Sequence, residues 1–133
     1  MRIEEVVDEF RSAWLPDITT CGLNRLEELL MSGSPLLVHG TFTKACAMGC
    51  LATHIAWNHP KTADRAEDAG VIWLTKIAGL NPATSCVILA WDRAQTHDWT
   101  LRNELLKLIK AEQVQRENEA KPRWLRTSVL SVA

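Results

Sequence analysis

The chain contains no tyrosine and only two phenylalanines, so six tryptophans supply most of its aromatic surface. No apolar run approaches the roughly 18 residues that a membrane-spanning helix requires, and we therefore expect no membrane association. The formal net charge is −1, which excludes the strong positive field that holds nucleic acid phosphates. We expect a protein partner or self-association instead of a nucleic acid or a membrane.

Several common catalytic and cofactor-binding motifs are missing as well. The sequence has no P-loop, no G-x-G-x-x-G, no H-E-x-x-H and no G-x-S-x-G nucleophile elbow. These absences lead us to expect no cofactor. The opening "MRIEEVVDEF" is acidic and amphipathic instead of basic and then apolar, which predicts a cytoplasmic location. In that compartment Cys21, Cys46, Cys50 and Cys86 are expected to be reduced thiols.

The length and the apolar pattern indicate one helical domain. A chain of 133 residues with 47% apolar residues can bury its own core. Apolar residues recur at spacings of three and four in residues 3–14, 23–32 and 100–119, which predicts amphipathic helices. We expect a mainly α bundle of about five helices over residues 1–120, with at most one short β element. Residues 121–133 form a basic, apolar tail that we expect to dock on this domain or on a partner.

An α/β fold is the alternative. Short apolar runs near residues 36–40, 71–76 and 86–92 are rich in β-branched residues and could be buried strands. Other local signals favour helices in the same region. Asn81 and Pro82 are typical of a helix start, and Gly79 is typical of a helix end.

The stretch "KACAMGCLATH" carries the main candidate for chemistry. We predict a helix over residues 41–58, in which the four-residue spacing places Cys46, Cys50 and His54 on one face. Such a stripe could bind a metal, with His39, His59 or His97 adding a ligand. The same thiols could equally be small apolar fillers that let two helices approach closely.

Two resemblances bear on this stretch. "CAMGCLATH" resembles the C-x-x-C-x-x-x-H motif of AhpD-like alkylhydroperoxidases, with one extra residue between the cysteines. That resemblance implies thiol redox activity of Cys46 and Cys50, supported by His54. A spacing of four puts two helical thiols near the limit for a disulfide, and no carboxylate stands close ahead of the motif.

Residues 20–112 are also similar to a loosely defined group of small bacterial and phage helical proteins. Members have a C-x-x-G-[AC]-L helix, here Cys46 to Leu51, and a later aspartate turn that leads into a leucine-rich helix, here Asp92 and residues 100–109. The group has no agreed activity. The resemblance implies a small helical domain in which Cys46, Gly49 and Asp92 are architectural.

The segment "AWDRAQTHDWT" brings Asp92, His97 and Asp98 together, which could form a general base and its orienting carboxylate. A helix start, capped by Thr96, Asp98 or Thr100, is the commoner use of such residues. We therefore predict a non-catalytic binding or interaction module. The alternative is a thiol redox or metal-binding protein that uses Cys46, Cys50 and His54.

Overall fold

The structure, a computed structural model, describes residues 2–45, 47–94, 98–122 and 124. Within these residues the fold is mainly helical with one small antiparallel sheet, as the sequence predicts. The helices and strands, in chain order, are α1 (Ile3–Glu9), α2 (Thr20–Ser32), β1 (Thr43–Ala45), β2 (Met48–Gly49), α3 (Leu51–Trp57), α4 (Ala69–Ile72), α5 (Cys86–Arg93) and α6 (Trp99–Ala120).

Helix α1 is followed directly by two further helical turns. The chain passes from α1 through a wide π-helical turn, Phe10–Trp14, and a tight 3₁₀ turn, Leu15–Asp17. The π-helical turn ends at Trp14, as the pattern over residues 3–14 predicts, and Leu15 and Pro16 begin the 3₁₀ turn that follows. Proline is tolerated at the start of a new helical turn, where its missing N–H would be unpaired in any case. Helix α2 ends as predicted, at a Gly33 with φ of 62°.

The predicted helix over residues 41–58 is wrong in its first half. Strands β1 and β2 pair there as a hairpin, and α3 begins only at Leu51. Residues 36–38 lie alongside: Gly49 N–H donates to the Leu36 carbonyl, and Val38 N–H donates to the Gly49 carbonyl. Small residues suit a helix and a strand equally, and part of the pairing involves the separate segment 36–38, so the local pattern predicts a helix where the chain forms a hairpin.

The strands of the α/β alternative are also absent from the described residues. Residues 71–76 lie in α4 and the wide turn Trp73–Ile77 that extends it, and residues 86–92 lie in α5. Near residues 36–40 only Leu37 forms an isolated bridge, to Gly49. Asn81 and Pro82 form a turn instead of the expected helix start, because Ser85 is the residue that caps α5.

Three of the tryptophans organise the core. Trp14, Trp73 and Trp91 are fully buried, and the rings of Trp14 and Trp73 lie 5.4 Å apart between centroids. Trp57 is half-buried, and Trp99 is 47% exposed. The core is thus built around bulky indoles, with one indole left half-exposed at its edge.

Helix α6 is the longest element and confirms the predicted terminal helix. Asp98 caps it, since the Leu101 N–H donates to the carboxylate at 3.2 Å. Its apolar residues are buried as far as Ile109, and the rest of the helix extends past the core. No helix within the described ranges has both the length and the apolar content to cross a membrane. Most of the tail, residues 123 and 125–133, lies outside the described residues, so its docking stays a prediction.

Helices α3 and α4 approach closely at Gly70. A β-carbon on Gly70 would lie 2.9 Å from both the Cα and the amide nitrogen of Thr53. Thr53 is fully buried there, and its hydroxyl donates to the Phe42 carbonyl at 2.6 Å. Only glycine therefore fits at this crossing.

Replacing Gly70 with alanine should lower the free energy of unfolding by about 3 kcal/mol, because the new methyl group overlaps backbone atoms. The contrasting variant is Gly40→Ala, where a β-carbon meets nothing within 4 Å and only the positive φ of 83° is strained. That variant should lose about 1 kcal/mol. Urea unfolding measures both. Equal losses would show that the α3 and α4 contact is not tight.

The carboxylate of Glu9 joins α1 to α5. It accepts hydrogen bonds from the Ser85 hydroxyl at 2.5 Å and from the amide N–H groups of Cys86 and Val87 at 2.8 and 3.1 Å. The Trp14 indole N–H donates to the same carboxylate at 3.0 Å. A negative charge at a helix start is favourable, and these contacts fix α5 as a helix although its sequence also suits a strand.

We expect Glu9→Gln to lower the free energy of unfolding by about 2 kcal/mol, because an amide carries no charge and turns a donor toward other donors. Glu5→Gln, at an exposed position one turn earlier, is the matched control and should change stability little. Thermal unfolding followed by circular dichroism compares the two variants. A similar effect of both substitutions would contradict the role of Glu9.

Candidate functional site

Cys50 lies at the N-terminal end of α3 and is only 2% exposed. Its Sγ atom lies 3.7 Å from the Thr53 hydroxyl. Burial raises the pKa of the Cys50 thiol, against smaller opposing effects of hydrogen bonds from Thr53 and Ala52. A protonated, enclosed thiol is a weak nucleophile and a poor metal ligand. Cys50 therefore packs as a small apolar side chain.

His54 is 3% exposed, so its side chain is enclosed. Its Nε2 atom lies 2.8 Å from the Leu36 carbonyl, which can only accept, so Nε2 carries the proton. The ring also meets Trp57 edge to face. Burial lowers the pKa of His54, the hydrogen bond to Leu36 opposes this, and Arg25 adds a smaller lowering. His54 holds the loop before β1 against α3.

The rest of the predicted stripe is not brought together. Cys46 lies outside the described residues, and so do Thr96 and His97 of the second candidate cluster. Where the chain is described, no three His, Cys, Asp or Glu side chains gather closely enough to hold a metal ion. Cys21, Cys50 and Cys86 are free thiols, as predicted for them.

Asp92, in α5, and His39, in the loop between α2 and β1, lie near each other. The Asp92 carboxylate accepts from the Gly40 N–H at 3.1 Å and fixes that turn, which is the architectural use that the group resemblance implies. The His39 ring stacks on Trp91 with centroids 4.1 Å apart, and its Nδ1 donates to the Trp91 carbonyl at 2.7 Å. The Trp91 indole N–H in turn donates to the Val38 carbonyl.

Arg102 is the residue that sequence reasoning missed. It is 1% exposed, and the central carbon of its guanidinium lies 5.2 Å from the ring centroid of Trp91 and 5.7 Å from that of Trp99. None of its three guanidinium nitrogens has a hydrogen-bond partner among the described residues. Burial lowers the pKa of Arg102, partly offset by the negative charge of Asp98. An arginine nevertheless stays charged in a protein.

The arrangement is therefore a buried cation between two indoles, with no hydrogen-bond acceptor among the residues that the structure describes. Indole faces attract a guanidinium by about 0.5 to 2 kcal/mol each, but they offer no acceptor in its plane. Removing a charge from water costs several kcal/mol when no partner compensates it. The available sequence signal was the spacing of three between Trp99 and Arg102, which places both on one face of a helix.

Arg102→Met should raise the free energy of unfolding by about 1 kcal/mol, because a buried apolar chain of similar length avoids the desolvation of a charge. Lys110→Met removes an exposed charge from the same helix and should leave stability unchanged. Chemical denaturation resolves the difference. A clear loss of stability in the Arg102 variant would mean that the cation already has its partner within the chain.

Alkylation should distinguish the described thiols. We expect iodoacetamide at neutral pH to modify exposed Cys21 at least about a hundredfold faster than Cys50, which reacts only when the protein opens. Peptide mapping by mass spectrometry gives both rates in one sample. Unfolding in guanidinium is the control and should make the two rates similar. Fast modification of Cys50 in the folded protein would contradict its enclosure.

Acid should weaken the fold through His54. The folded-state pKa of His54 lies below its ordinary 6.5, so the unfolded chain binds the proton first and stability falls as the pH drops below that value. We expect the loss between about pH 7 and about pH 5 to be smaller in His54→Gln, which cannot titrate. His59→Gln is the control, since burial also lowers the pKa of His59 but this side chain is less buried than His54 and should contribute less. Unfolding curves at a series of pH values measure this, and an unchanged loss would contradict the assignment.

No family model, curated protein or solved structure matches the chain. The similarity to small bacterial and phage helical proteins accordingly stays a prediction. Function is therefore inferred from the geometry of this chain alone, and above all from the surroundings of Arg102.

Proposed function

We propose that the protein is a non-catalytic binding module whose contact surface is centred on the half-exposed Trp99, with the buried guanidinium of Arg102 behind it. The observation that carries this proposal is the buried guanidinium with no hydrogen-bond partner among the described residues. A group of this kind is costly to retain for stability alone, and buried unpaired polar groups are typical of sites that a ligand completes. Trp99, 47% exposed beside it, offers the amphipathic aromatic surface that interfaces favour.

The placement of the candidate chemical residues supports binding over thiol chemistry. The Cys50 thiol is enclosed, and the His54 ring is held by the Leu36 carbonyl, so neither side chain faces a substrate. A reactive cysteine needs an accessible and electropositive setting. The free thiols at Cys21, Cys50 and Cys86 agree with a reducing compartment, and we propose a cytoplasmic location.

Affinity capture from the cell of origin tests the proposal. The full chain carries the tag, and quantitative mass spectrometry compares the wild type with Trp99→Ala and Val114→Ala. Val114 is 64% exposed on the same helix, about 22 Å further along, which makes it a matched control. We expect a protein that is captured by the wild type and by the Val114 variant, and lost with the Trp99 variant.

Metal analysis and thiol titration of the same preparations test the alternative hypothesis of a metal-binding or thiol redox protein. Stoichiometric zinc or iron, or a dithiol at Cys46 and Cys50 that peroxide oxidises rapidly, would replace the proposed function with the metal or redox alternative. Capture that does not depend on Trp99 would also overturn it.

A further inference from the structure

The guanidinium of Arg102 lacks hydrogen-bond acceptors among the described residues, and its surroundings indicate which kind of group fits it. An arginine carries five N–H donors in one plane, and none finds an acceptor among the described residues. Trp91 and Trp99 contact the guanidinium through their rings, so both contribute attraction without accepting its hydrogen bonds. What the site lacks is an anion with oxygens that lie in the guanidinium plane.

The local charge selects among such anions. Arg102 contributes a single positive charge, and the Asp98 carboxylate is close enough to act on it electrostatically without forming an ion pair. Asp98 repels any anion at this position, and it repels a phosphate, with about 1.5 to 2 negative charges at neutral pH, more strongly than a carboxylate. A carboxylate carries one, and its two oxygens match the guanidinium fork.

The surroundings also indicate what carries the carboxylate. Trp91 is fully buried and is held by Val38 and His39, so its ring is a fixed wall. Trp99 is half-exposed on the first turn of α6, so its indole is the wall that faces solvent. A ligand that enters beside Trp99 packs an apolar group on the indole and places its carboxylate next to the guanidinium of Arg102.

We propose that Arg102 receives the side-chain carboxylate of a glutamate or aspartate from a protein partner, flanked by an apolar residue that packs on Trp99. The inference rests on the proposed binding function and names the chemistry that its surface recognises. The carboxylate and the guanidinium form two parallel N–H···O hydrogen bonds, and the buried charge is neutralised. Trp91 acts as a positioning residue for Arg102.

The test uses the full chain and two blocked peptides, Ac-Leu-Glu-Leu-NH₂ and Ac-Leu-Gln-Leu-NH₂, titrated while the N–H signals of the Arg102 side chain and the Trp99 indole are followed by NMR. We expect the glutamate peptide to shift both signals and to bind at least about tenfold more tightly than the glutamine peptide. Lys110→Met should bind like the wild type. Arg102→Met should bind both peptides equally weakly, with its fold verified by the other indole signals.

Equal affinities for the two peptides, undiminished binding by the Arg102 variant, or displacement of the glutamate peptide by a lower concentration of inorganic phosphate would each overturn the inference. Absence of any peptide binding would overturn it too, while partner capture that depends on Trp99 would still support the proposed function. Selective peptide binding without such capture would support the carboxylate site, but it would overturn the proposed function and with it the assignment of the carboxylate to a protein partner.

Discussion

The fold depends on the carboxylate of Glu9. This one group accepts the Trp14 indole N–H, the Ser85 hydroxyl and two amide N–H groups at the start of α5. It therefore fixes the position of a core indole and the start of a helix that lies far away in sequence. Because α5 carries Trp91, the same carboxylate also determines where one wall of the Arg102 site stands. A single anion at a helix N-terminus thus connects the core to the candidate site.

The buried charge of Arg102 lowers the stability of the fold, and the same charge is what the proposed ligand would recognise. A guanidinium enclosed by two indoles gains attraction from their faces but loses the hydrogen bonds that water would supply. Such a group stabilises a fold only when its donors are satisfied, and here the described residues leave them unsatisfied. Cys50 and His54, in contrast, have their contacts satisfied within the chain. Those side chains are packed and bonded within the chain, so their chemistry serves the fold.

Much of the fold could be predicted because its helices have one apolar face. Helices α1, α2 and α6 follow the spacing of their buried residues, and the cap at Asp98 and the stop at Gly33 are local signals. The hairpin of β1 and β2 could not be predicted, because small residues suit a helix and a strand equally. Its backbone partners, residues 36–38, come from a separate segment of the chain.

The sequence by itself determined the mainly helical class and the use of tryptophan in the core, because these follow from composition and from periodicity along the chain. Only the tertiary structure decided that Cys50 and His54 are enclosed and that Arg102 lies between Trp91 and Trp99 with no hydrogen-bond partner among the described residues. Burial and hydrogen bonding depend on which distant segments meet. The physical reason is that a side chain's charge and reactivity are set by its neighbours in space, and those neighbours are not its neighbours in sequence.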